Sequence, residues 1–113
     1  ESLLTALHTP GHFSDIICYW DKENSTIFTG DTVFIGRTGR TVSTGSNIKE
    51  LYSSIYEIIL KIPHKTVIYP GHHYGFSKEE TIAFNVENSN FFQCNGLEEF
   101  MLVMDNFEKN RKK

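Results

Sequence analysis

The chain is short of the features that mark disulfide scaffolds, membrane spans and nucleic-acid binders. Two cysteines in 113 residues are too few for a disulfide framework, and Cys18 and Cys94 form no C-x-x-C pair. A reducing compartment therefore suits the chain as well as a single bridge does. Cys18 stands in an apolar run, where a buried, inert thiol is expected. No apolar stretch approaches the ~20 residues that cross a bilayer, and no charged-then-apolar leader precedes Leu3. The first residue reads as a processing boundary, and the expectation is a cytoplasmic protein without membrane contact, an organelle being open as well. Positive charge is in deficit: 11 Lys and Arg against 14 Asp and Glu leave a formal net charge of −3, so nucleic acid finds no electrostatic footprint. The basic cluster Lys109, Arg111, Lys112 and Lys113 reads as a solvated tail.

What is present is ordinary for a folded protein. With 39% hydrophobic and 22% charged residues, disordered and fibrous classes drop out, and the length allows one domain with a single modest core. Residues 3–8 form an apolar run ending at Thr9-Pro10-Gly11-His12, which predicts a strand entering a tight turn. Residues 15–20 and 26–29, either side of the polar stretch 21–25, predict a hairpin. Four glycines between Gly30 and Gly45 predict a long irregular loop, a feature that is often functional.

Residues 47–61 carry the clearest helical pattern. Asn47 stands at the N-cap, Glu50 is in capping-box position, Leu51, Ile55, Ile58, Ile59 and Ile62 share one face, and Pro63 ends the helix. Residues 66–69 predict a buried strand, and further helices are predicted over 78–87 and 97–107. The order strands, helix, strand, helices is α/β, and a sheet this small needs another layer to cover it.

The chemistry concentrates at strand ends. Only three prolines exist, yet Pro-Gly-His occurs at 10–12 and again at 70–72, each time after a run expected to be a strand. Pro stops the strand, Gly permits an unusual turn, and the His projects from the strand's end. Thr29-Gly30-Asp31 repeats the device with a carboxylate. A single such His or Asp is more often a structural hydrogen-bonder or a turn residue; the repetition is what points to a metal. Nitrogen and oxygen ligands of this kind suit zinc, iron or manganese, and a carboxylate can bridge two ions about 3.5–4 Å apart. His8 and His64 lack the context, His8 reading as a strand or supporting residue and His64 as solvated.

These motifs, Thr9-Pro10-Gly11-His12, Phe28-Thr29-Gly30-Asp31-Thr32-Val33-Phe34 and Tyr69-Pro70-Gly71-His72, resemble the later metal-binding motifs of metallo-β-lactamase-fold hydrolases. Within that superfamily the chain is most similar to glyoxalase II, the hydroxyacylglutathione hydrolase, through Ile17-Cys18-Tyr19, Gly39-Arg40, Leu51-Tyr52, Ala83, Val86-Glu87 and Asn90. The resemblance implies the second half of an αββα sandwich, with residues 1–113 as a single partial domain. It implies two zinc ions in the complete protein, His12 holding one, His72 the other and Asp31 bridging them as the catalytic carboxylate. Arg40 and Tyr74 would hold the glutathione part of a small thioester such as S-lactoylglutathione, and metal-bound hydroxide would attack it.

The sequence also departs from that family. Its first motif, of the form His-x-His-x-Asp-His, is absent, Val42 replaces a usual aromatic contact, and only 41 residues follow His72. The chain alone is therefore expected to be nearly inactive. A second reading is a persulfide dioxygenase with one iron held by His12, Asp31 and a further His, which the tail Leu97-Glu98-Glu99-Phe100 with Met104 and the run Gly39-Arg40-Thr41 resemble. A third is a non-catalytic piece that completes its fold with a partner chain or as an oligomer, through an exposed sheet face.

Overall fold

Residues 4–72 and 79–111 are described in a computed structural model of the chain. Five strands form one sheet in sequential order: β1 (Leu4–His8), β2 (Ile17–Asp21), β3 (Thr26–Gly30), β4 (Val67–Pro70) and β5 (Glu80–Thr81). Neighbours are antiparallel except β3 and β4, which are parallel. A parallel pair needs a long crossover, and the 36 residues between Gly30 and Val67, including helix α1, provide it.

Alternation along the strands sorts the two faces. Cys18, Ile27, Thr29 and Ile68 are buried, while Tyr19, Phe28 and Tyr69 are exposed. The buried set joins the apolar residues of the helices in one core, which includes Leu51, Ile55, Ile59, Phe91, Phe100 and Met104. The exposed set is aligned across three strands, Tyr19 opposite Phe28 and Phe28 opposite Tyr69, and the last two rings stack at 5.7 Å. One face of this mixed α/β sheet is thus covered by helices. The other presents an aromatic row to solvent.

Helix α1 (Ile48–Ser53) starts as the pattern predicts, with the Asn47 side chain accepting from the Glu50 amide. The capping box is only half made, because the Asn47 amide donates to the Gly11 carbonyl (2.7 Å) rather than to Glu50. The helix continues through a π turn at Ser54–Ile58 and a 3-10 turn at Ile59–Lys61. Ile62 then turns extended (φ −76°, ψ 148°), the conformation that a following proline imposes.

One expectation needs correction. The second helix, α2 (Ile82–Asn88), begins later than the pattern predicts because Glu80 and Thr81 pair with β4, and Thr81 caps the helix by accepting from Phe84 N. The glycine-rich stretch after β3 is irregular, as its glycines predict, and it is well packed: Thr32, Val33, Phe34, Ile35 and Thr38 are all buried. Its turn is pinned by α2, where Asn85 accepts from Gly36 N (2.9 Å), donates to Phe34 O (2.8 Å), and Ser89 Oγ donates to Gly36 O (2.8 Å). Helix α3 (Leu97–Arg111) closes the chain, anchored by buried Phe100 and Met104. Its last turn includes Lys109 and Arg111, so part of the basic tail is helical.

Candidate metal centre

Three strand ends meet at one edge. Because β3 and β4 are parallel, with Gly30 opposite Pro70, Asp31 and His72 emerge side by side just beyond the sheet. The approach is tight: Gly71 N donates to Gly30 O at 2.7 Å, and a Cβ at Gly71 would stand 3.0 Å from Asp31 Oδ1. A larger residue there would press on the carboxylate.

His12 comes from the far side of the hairpin, beyond β1, and the sheet register does not hold it in place. The residues flanking both ends of α1 do. Gly11 O accepts from Asn47 N (2.7 Å), Pro10 O from Ser54 Oγ (2.7 Å), and His12 O from Ser46 Oγ (2.7 Å). Gly11 has φ 145°, and a Cβ on it would collide with the Leu51 backbone. Glycine is therefore the residue that lets the turn lie against the helix. His8 closes the same loop from β1 by its bond to Ser14 O (2.7 Å), whereas His64 is exposed and bonds Leu60 O.

The side chains then divide the carboxylate between them. His12 Nδ1 donates to the Arg40 carbonyl (2.7 Å), and Nε2 faces Asp31 Oδ2 at 3.9 Å. His72 Nδ1 lies 2.8 Å from the other oxygen, Asp31 Oδ1. A backbone acceptor that fixes the tautomer of a histidine is a recurrent support for metal ligation. Among the described residues no three His, Cys, Asp or Glu side chains form a complete ion-holding group by themselves. What is present instead is one carboxylate shared between two imidazoles, a donor set that fits a pair of ions to which further ligands are added.

His12, Asp31 and His72 line a cavity of about 140 Å³ with Phe34, Arg37, Arg40, Val42 and Ser43. Arg40, expected to contact substrate, lines this cavity, and its Nε and Nη2 donate to Glu108 of α3, at 2.7 and 2.8 Å. Arg37 lies between the Phe34 and Phe107 rings, 4.9 and 5.0 Å from their centres. Tyr74, the other expected substrate contact, lies outside the described residues. Both cysteines are free; Cys18 is fully buried, and burial pushes its thiol pKa up.

Sequence reasoning missed Glu108, Asn85 and the serines at 46 and 54. Ser46-Asn47 before a helix is a recognisable cap, but nothing local marks Ser54 or Glu108 as neighbours of residues 44 and 68 positions away.

The sequence model of the Metallo-beta-lactamase superfamily matches residues 1–72. A probable polyketide biosynthesis zinc-dependent hydrolase of Bacillus velezensis is 33% identical over 110 residues, 97% of this chain and 46% of that protein. A probable hydroxyacylglutathione hydrolase of Schizosaccharomyces pombe is 31% identical over 96 residues, 83% and 37% of the two chains. Among solved structures, ETHE1 from Myxococcus xanthus superposes with a TM-score of 0.84 at 31% identity, covering 95% of this chain and 47% of that one. The chain thus spans less than half the length of each of the three.

Proposed function

The chain belongs to the metallo-beta-lactamase superfamily, and from that premise we propose that its full-length protein is a metal-dependent hydrolase of glutathione thioesters of the S-lactoylglutathione type. The observation that carries the reading is the division of Asp31, one oxygen toward His12 and the other toward His72. His12 would hold one ion, His72 the other, and Asp31 both; zinc is the metal in the printed name of the Bacillus velezensis relative. When bound, such ions supply a water of lowered pKa and polarise a carbonyl oxygen.

Hydrolysis adds the elements of water across the acyl carbon–sulfur bond, giving a carboxylate and a free thiol. The chain's own share is placement. His12 is fixed by the Arg40 carbonyl with Nε2 toward the site, and Asp31 is held at the sheet edge by the β3–β4 register. The Arg40 side chain offers a planar cation suited to a glutathione carboxylate, and the family resemblance adds Tyr74 as a second contact. The other ligands are supplied from outside this chain, by a preceding half whose sheet packs on the Tyr19–Phe28–Tyr69 row. An exposed apolar face of this kind supports such a layer, and an association of copies through it is the reading for the isolated chain.

A persulfide dioxygenase with one iron is the second reading, favoured by the position of α3. Helix α3, which carries the Leu97–Phe100 and Met104 positions resembling that group, also meets Arg37 and Arg40 of the cavity through its later residues Phe107 and Glu108, and the likeness to the Myxococcus xanthus structure covers 95% of the chain. Elemental analysis of the full-length protein, with thioesterase and oxygen-uptake assays, separates the two. Two ions per chain with thioester cleavage is expected; one iron with oxygen uptake would replace the first reading by the second, and absence of bound metal would overturn both.

A further inference from the structure

A carboxylate already sits on Arg40. Glu108 Oε2 accepts from Nε and Oε1 from Nη2, at 2.7 and 2.8 Å, the paired geometry that a guanidinium offers to any carboxylate ligand. Resting on the thioester reading above, we propose that Glu108 is a built-in occupant of the carboxylate site on Arg40, which a substrate carboxylate must displace to bind.

Four observations support this assignment. Arg40 lines the same cavity as His12, Asp31 and His72, so whatever holds its guanidinium competes for space beside the reacting centre. Glu108 competes as an anion, since its bond to Arg40 holds its carboxyl below the usual glutamate range.

Displacement does not require α3 to unfold. The helix is anchored by buried Phe100 and Met104, by Thr38 Oγ1 donating to Met104 Sδ (3.4 Å), and by the edge-on packing of Phe107 against Phe91 (5.7 Å). Turning one side chain is enough, and Glu108 has room to turn. It also borders an open cavity of about 630 Å³ whose lining includes Thr41, Ile48 and Met101 together with the carboxylates Glu98 and Asp105, so the released side chain turns toward solvent rather than into an apolar pocket.

The exchange also spares the metal ligand. His12 is oriented by the Arg40 backbone carbonyl and not by the guanidinium, so releasing Glu108 frees the anion site without turning the imidazole. The pair therefore sets affinity for acidic substrates and leaves the reacting geometry alone.

The test uses the full-length protein and S-methylglutathione, which carries the glutathione carboxylates but no thioester. Calorimetric titration of Glu108→Gln should show about five-fold tighter binding than wild type, the equivalent of roughly 1 kcal/mol. The diethyl ester of the same ligand, lacking free carboxylates, should bind both proteins equally. Glu108→Asp, too short to span the fork, serves as a second variant should the first loosen α3, and should also bind more tightly than wild type. Equal or weaker binding of S-methylglutathione by both variants, or an equal gain for the diester, overturns the proposal. Hydrolysis of S-lactoylglutathione by the wild type is read separately. Tighter binding without hydrolysis keeps the Glu108 assignment and removes the thioester reading, and hydrolysis without tighter binding does the reverse.

Discussion

Replacing Gly11 by alanine probes how His12 is held. The turn at Gly11 has φ 145°, and a new Cβ would meet the Cα, N and Cβ of Leu51 rather than a side-chain end that could swing away. Overpacking costs about 1–3 kcal/mol and a backbone conformation foreign to alanine about 1–3 kcal/mol more, so the expected loss is roughly 4 kcal/mol. At about 2–4 °C per kcal/mol for a domain of 150–250 residues, the full-length protein should melt about 10 °C lower. The turn must also leave the α1 terminus, breaking the bonds from Asn47 N, Ser46 Oγ and Ser54 Oγ, so bound metal should fall together with the melting temperature. Trimming Leu51 to alanine should not rescue the variant, because the colliding atoms remain. Circular dichroism melts with elemental analysis give the answer. A melting temperature within about 2 °C of wild type, with metal retained, would show that the Pro10–His12 turn is not pinned to α1.

Asp31→Ala in the full-length protein should abolish turnover and lower metal content, since both histidines lose the group they share; wild-type rates would end the two-ion reading. Asn85→Ala strands the buried Phe34 carbonyl and frees the more exposed Gly36 amide, and should cost about 1–3 kcal/mol in urea titrations, with no loss refuting a role for α2 in holding that turn. The carboxyl of Glu108 is held below its ordinary range chiefly by its hydrogen bond to Arg40. A lowered folded-state pKa means that the pair's contribution is complete above that range and is lost as the pH falls through it. Wild type should therefore exceed Glu108→Gln in stability at neutral pH and converge with it in acid, and a gap persisting at about pH 2 would contradict the ion pair as its source.

The strands, α1 and the three strand-end motifs were legible because their signals are local: apolar alternation, the Asn47 cap, and Pro-Gly-His after an apolar run. Thr81 shows where locality fails, since its β propensity is expressed only because β4 lies beside it. What the stretch after β3 packs against was hidden for a related reason. Its glycines signal irregular backbone correctly, but Val33, Phe34 and Ile35 are buried and the Phe34 carbonyl is held by Asn85 of α2, and no periodicity records a contact with residues some fifty positions on. Arg40 illustrates the same limit at the site. Its presence in the cavity follows the family resemblance, while its partner is set by where α3 ends in space.

The site is held by two independent devices. Asp31 and His72 are neighbours because a parallel pair places two strand ends side by side, and the bond from Gly71 N to Gly30 O locks that spacing. His12 leaves an antiparallel hairpin, whose register constrains nothing at the metal edge, and reaches Asp31 because α1 and the Arg40 carbonyl hold it from the other side. The crossover that makes β3 and β4 parallel also carries α1 and Arg40, so one segment creates the Asp31–His72 edge and supplies the clamp for His12. On the proposed two-ion reading, a perturbation of the α1 terminus should therefore weaken metal held through His12 first, while one at Gly71 should strike the Asp31–His72 pair. That difference in order of loss separates the two devices experimentally.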